Sequence, residues 1–201
     1  MATYEYGKQV WDYFMLYIQN EYGVAGLMGN LAAESGIIPY RVQGDNTPPY
    51  TFSQDYTAQL DSGTITESEF VNDGPNGGGY GLAQWTYYTR KQNMYNLYQS
   101  GGYSSIGSIE LGMDFLSQEL QSDYSDVWDV LVNATSIREA SDKVLHDFES
   151  PADQSEEVEE YRASLGQDIY NQYSGTGPGP GPGELGIPVW LLFCLIRKKV
   201  F

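Results

Sequence analysis

The chain of 201 residues has one cysteine, Cys194, and one histidine, His146. So few soft ligands exclude a zinc site built from His and Cys. They also exclude an intramolecular disulfide, which fits synthesis in a reducing compartment. A Ser-His-Asp triad would have to run through His146, and no GxSxG element presents a serine to it. Cations are scarce as well. Ten Lys and Arg stand against 27 Asp and Glu, for a formal net charge of −17. A phosphate backbone would be repelled, so no nucleic-acid partner is expected. The N-terminal MATYEYGKQVW lacks the basic, apolar, small-residue order of a secretory signal. No metal and no cofactor are expected.

What the chain does contain is a real apolar content, 41%, and 18 tyrosines. Tyrosine suits open polar grooves, because its ring can stack while its hydroxyl stays wet. The stretch the rest is organised around is Gly23 to Pro39, GVAGLMGNLAAESGIIP. Val24, Leu27, Met28, Leu31 and Ala32 recur at helical spacing, with Gly and Ala filling the gaps. A helix small or apolar on nearly every side is expected to be buried. Its glycines cost about 1 kcal/mol each in propensity, which points to another backbone packed closely against it. Gly36 is a natural C-terminal cap and Pro39 stops the helix from resuming. One acid, Glu34, stands at that end. A carboxyl so placed meets desolvation and the negative end of the helix dipole, both of which favour its neutral form. A protonated carboxyl near neutral pH is what general-acid catalysis requires.

The second unusual stretch is Asn72 to Trp85, NDGPNGGGYGLAQW. Asp73-Gly74 and Asn76-Gly77 read as hairpin turns. The glycines allow a ligand to approach the backbone. No Gly-Lys-Ser/Thr follows, so this is not a phosphate loop. Tyr80, Gln84 and Trp85 read as groups that stack on and hydrogen-bond to sugars.

Periodicity predicts further helices. The first centres on Val10, Phe14 and Ile18, a short one covers Ser53 to Leu60, and others cover Thr86 to Tyr98 and Ser108 to Leu120. Capping boxes are expected at Thr66–Glu69 and Ser136–Glu139, the latter opening a helix through Val144 and Phe148. A last helix carries Val158, Leu165, Ile169 and Tyr173. The segment 174–186, with its SGTGPGPGPG run, reads as a linker. Ile187 to Phe201 is a short hydrophobic tail with Arg197-Lys198-Lys199 at its end. It is too short to span a bilayer, which needs about 20 apolar residues, but long enough for a membrane surface or a partner's groove.

Ala33-Glu34-Ser35-Gly36 with Pro39, and Gly79-Tyr80-Gly81-Leu82-Ala83-Gln84-Trp85, resemble the bacterial-wall branch of the lysozyme superfamily. Adding DYTAQLDSGTIT with FVND, the TYYTRK after Trp85 and the late FESPAD, residues 8 to 173 resemble the phage tail lysozyme family in order and spacing. The resemblance implies an α+β, predominantly α-helical, lysozyme-like catalytic domain over 1–173, with a small β-hairpin lobe flanking a substrate cleft. It implies cleavage of the β-1,4 bond between N-acetylmuramic acid and N-acetylglucosamine in peptidoglycan, with glycan strands as the partner. Glu34 is the general acid in that reading, and Tyr80, Gln84 and Trp85 position sugars. Glycosidases use two acids, about 5–5.5 Å apart for retention or about 6.5–9.5 Å for inversion. Asp73 is the first choice for the second, with Asp45, Asp61 and Glu149 as rivals. A lytic transglycosylase using Glu34 alone, a glycan-binding tail module without catalysis and a membrane-associated lysis factor are the competing readings. The expected location is the tail of a phage virion, or the host cytoplasm before release.

Overall fold

The small-and-apolar run does form one buried helix. In the computed structural model, which describes residues 3–74 and 78–176 apart from the side chain of Asp73, this helix is α2, preceded by α1 (Gly7–Ile18) and spanning Glu21–Ser35. Asn20 starts it, its Oδ1 accepting from the N–H groups of Tyr22 and Gly23. Gly36, at φ 66°, ends it by donating to the carbonyl of Ala32. Val24, Ala25, Leu27, Met28 and Leu31 have no solvent exposure.

The remaining helices pack around α2. They are α3 (Thr51–Asp61), α4 (Tyr88–Gly101), α5 (Ile109–Ser122), α6 (Ser125–Asn133), α7 (Ile137–Lys143) and α8 (Glu156–Tyr173). Of these, α8 and α7 are the principal neighbours of α2. Gly29 explains how close α8 comes. A Cβ there would lie 2.5 Å from the Arg162 carbonyl oxygen and 2.7 Å from the Gly166 nitrogen. The propensity lost to glycine in α2 is thus exchanged for direct backbone contact, and that contact sets α8 over the end of α2.

Both expected capping signals form, with one shift of partner. Thr66 and Glu69 make the reciprocal box and open a π-helical turn, Glu69–Asp73. At α7, Ser136 Oγ accepts from the Glu139 N–H, while the Glu139 carboxylate turns back to Thr135. The helix expected to run on through Phe148 instead widens after Lys143 into a π-helical segment, Val144–Glu149. Helix α6 is not foreseen in the sequence. It is nine residues long, begins after Tyr124 without a side-chain cap, and buries only Val127 and Leu131.

The β-hairpin lobe is a correction. The described residues contain no strand, only two isolated antiparallel bridges, Val42–Tyr80 and Tyr80–Trp85. The chain turns back within Gly81–Gln84, where Gly81 and Gln84 take φ of 82° and 47°. This closes a tight loop too short for a ladder. Among the described residues the fold is predominantly helical, with no sheet lobe. The linker beyond residue 176, the tail Ile187–Phe201 with its expected membrane or partner contact, and residues 75–77 of the glycine run lie outside the described residues. No described helix is long and apolar enough to cross a membrane.

Candidate active site

Glu34 sits in the last turn of α2, and its side chain is 20% exposed. Its partner comes from α8, where Arg162 Nη2 donates to Glu34 Oε1 at 2.5 Å. The other arm of the guanidinium, Nη1, reaches Asn30 Oδ1 at 3.0 Å, one turn earlier on the Glu34 helix. Asn30 is itself fully buried and donates to the carbonyls of Gly26 and Ser141. The catalytic candidate is therefore held by a polar chain of α2, α7 and α8. Nothing in the local sequence around Glu34 signals Arg162.

Glu34 opens onto a cavity of about 340 Å³ whose walls include Arg41, Gln43, Gln84, Tyr87, Arg90 and Glu149. Glu149 is the last residue of the π-helical segment, just before Ser150 turns the chain at φ 46°. Its Oε1 is buried without a hydrogen-bond partner among the described residues. Burial, and after it the charge of Glu34, push the Glu149 pKa up to about 8, while Arg90 and Arg162 pull the other way. These surroundings favour its neutral form. Of the rivals for second acid, it is the one the fold brings to the cavity of Glu34.

Asp45 and Asp61 serve the scaffold. Asp45 Oδ2 accepts from the N–H and hydroxyl of Ser53 at the start of α3. Asp61 Oδ1 accepts from the N–H of Ile106. The backbone of Asp73 closes the turn Glu69–Asp73, and its side chain lies outside the described residues.

Of the three expected sugar-contacting residues, only Gln84 lines the cavity. Its Nε2 donates to the carbonyls of Arg41 and Gly81, both at 3.0 Å, which pins the loop to the segment after α2. Tyr80 and Trp85 have no solvent exposure. The Tyr80 hydroxyl pairs with Thr57 Oγ1 at 2.8 Å, and the ring meets Phe70 edge-on. Trp85 packs on Phe115 and donates from Nε1 to Glu119 Oε2 at 2.7 Å. These two rings anchor the loop to the core and offer no face to a ligand in this structure. The exposed aromatic at the cavity is Tyr87, the residue preceding α4, at 74% exposure. It is two residues past the motif that drew attention to Trp85.

A buried ion pair supports the far wall. Arg90 donates through Nε and Nη2 to the two oxygens of Glu119, at 2.7 and 2.9 Å. Its guanidinium also lies 4.5 Å from the centre of the Phe148 ring. Glu119 thereby serves Trp85 and Arg90 together, joining the loop to α4 and α5. Among the described residues no three or more His, Cys, Asp or Glu side chains gather as a metal site would require.

A family model described as phage tail lysozyme matches residues 5–173. No curated protein matches this chain.

Proposed function

Because the chain belongs to the phage tail lysozyme family, we propose that it is a peptidoglycan muramidase whose general acid is Glu34. The observation that carries this reading is the meeting of Glu34 and Glu149 in one open cavity beside Gln84. Paired acids in one groove, in unlike surroundings, are the equipment of glycoside hydrolysis.

In this reading the glycan lies along the cavity, with the bond between N-acetylmuramic acid and N-acetylglucosamine over Glu34. Gln84 has spent its amide N–H groups on the backbone, so its Oε1 accepts from a sugar hydroxyl. Tyr87 supplies the stacking face that Tyr80 and Trp85 do not. Glu34 protonates the glycosidic oxygen as the bond to C1 breaks, and Arg162 stabilises the carboxylate left behind. Water then completes the hydrolysis. The site of action is the bacterial wall, reached from the tail of a virion.

The test is Glu34→Gln on purified sacculi. Loss of a general acid is expected to reduce release of soluble fragments by at least ~100-fold, with thermal unfolding close to that of the parent. Undiminished release would end the proposal. Mass spectrometry of the parent's products reads the chemistry: reducing ends mark hydrolysis, whereas anhydro ends would replace it by transglycosylation. Sugar binding with no new ends would reduce the domain to a glycan-binding module.

A further inference from the structure

Glu149 is an acid that the reaction above leaves without a task. It lines the cavity from the π-helical segment, a widened turn that sets its carboxyl beside the end of α2. The charged groups facing it come from four elements: Glu34 on α2, Arg90 on α4, Glu119 on α5 and Arg162 on α8. Arg41 joins them at the cavity wall. Both nearby guanidiniums are hydrogen-bonded elsewhere, Arg90 to Glu119 and Arg162 to Glu34 and Asn30. Glu149 Oε1 is left buried and unpartnered among the described residues.

We propose that Glu149 is the second acid of the active site, a positioning residue that acts through Glu34 by keeping one proton on the pair at neutral pH. This rests on the glycosidase reading and adds to it how an acid bonded to a guanidinium still delivers a proton. Two carboxyls in one partly dry site do not both ionise cheaply, and their titration belongs to the pair. Burial of Glu149 makes its charged form the more costly one, consistent with its raised proton affinity. When the glycosidic oxygen approaches, the proton of the pair passes through Glu34 to that oxygen. The C1–O bond breaks with its electron pair on the leaving sugar. Water then gives its hydroxyl to C1 and returns its proton to the pair. In between, the pair is doubly negative, and Arg162 and Arg90 offset that charge.

The experiment is the pH profile of kcat/KM on sacculi for the parent and Glu149→Gln, with carboxyl carbon-13 NMR titration of the parent, Glu149→Gln and Glu34→Gln. In the parent, the alkaline limb and one carboxyl titration are expected near pH 8. Glu149→Gln is expected to lose at least ~10-fold at pH 7.5, a loss that shrinks towards pH 5, so its alkaline limb moves down by about one unit or more. In Glu34→Gln the remaining transition is expected to move to lower pH, because the like charge is gone. A uniform loss at every pH in Glu149→Gln, or an unchanged profile, overturns the proposal. So does a parent spectrum with no carboxyl titrating between pH 7 and 9, a measurement that does not depend on any variant folding. Full lytic activity in Glu34→Gln would sink the glycosidase reading instead, and the NMR titration separates the two failures.

Discussion

Arg162 holds Glu34 and Asn30 with the two arms of one guanidinium, at 2.5 and 3.0 Å. Helix α8 therefore grips the last two turns of α2 by side chains where Gly29 already brings the backbones together. The Arg162 side chain is 9% exposed. Replacing it by Met keeps much of the bulk and takes a partner from the buried Asn30 and the partly buried Glu34. The expected cost is about 2–4 kcal/mol, read as a lower denaturant midpoint at unchanged m. Activity is expected to fall further than stability, because Glu34 loses the group that orients it. An Arg162→Met variant of parental stability and activity would refute this.

The contact at Gly29 makes a prediction opposite to helix propensity. Alanine is the better helix former by about 1 kcal/mol, yet its Cβ would meet the backbone of Arg162 and Gly166 inside contact distance. Gly29→Ala is expected to destabilise by about 1–3 kcal/mol or more and to lower activity as α8 is pushed from α2. Gly36→Ala separates packing from backbone strain. There a Cβ meets nothing within 4 Å, but the residue sits at φ 66°, so a loss of about 1 kcal/mol is expected from conformation alone. Thermal unfolding of the two variants checks both.

Tyr87 projects from the cavity rim with little packing of its own. Tyr87→Ala is expected to leave the unfolding midpoint within about 0.5 kcal/mol and to raise KM for glycan. Trp85→Phe is expected to do the reverse. It leaves Glu119 Oε2 without the indole N–H and costs about 1–3 kcal/mol of stability. Isothermal titration with soluble glycan fragments, beside unfolding curves, distinguishes a binding ring from a buried one.

His146 gives stability a pH dependence of predictable sign. Its ring nitrogens bond Gln154 and Glu159, and these bonds raise its pKa above the ordinary histidine value. The charged ring is favoured in the folded state. The contribution is fully present below the unfolded value and is lost as pH rises through the raised folded one. The side chain is 36% exposed, so salt screens the effect and its size is small. Glu149, whose proton affinity is also raised, adds a decline of the same sign in both proteins. The stability difference between the parent and His146→Gln is therefore the quantity to follow from about pH 5.5 to 8.5, and it is expected to shrink as pH rises. A difference that does not change with pH would refute a role for the charged ring.

Much of the scaffold is legible along the chain because its causes are local. The composition of Val24–Leu31 dictates a helix with no solvent face, Gly36 ends it, and Glu34 is the acid delivered there. Thr66 with Glu69 behaves as its spacing requires. The site is legible only in part. Residue type marks Tyr80 and Trp85 as sugar platforms, but an aromatic ring is equally good core, and which it becomes depends on what arrives beside it. Thr57 and Glu119 arrive, and both rings are buried. The glycine run promises a hairpin, yet turns at Gly81 and Gln84 close the loop before a ladder can form.

By itself the sequence determined the buried helix, its stop and the single acid at its end, because periodicity, capping and side-chain volume act over a few residues. Only the tertiary structure decided that Arg162 pairs with that acid and that Glu149, rather than Asp45 or Asp61, comes to its cavity. Those choices depend on the close approach of α8 and on a widened turn after α7, and burial and Coulomb interaction act between groups that are near in space, however far apart they stand in the chain.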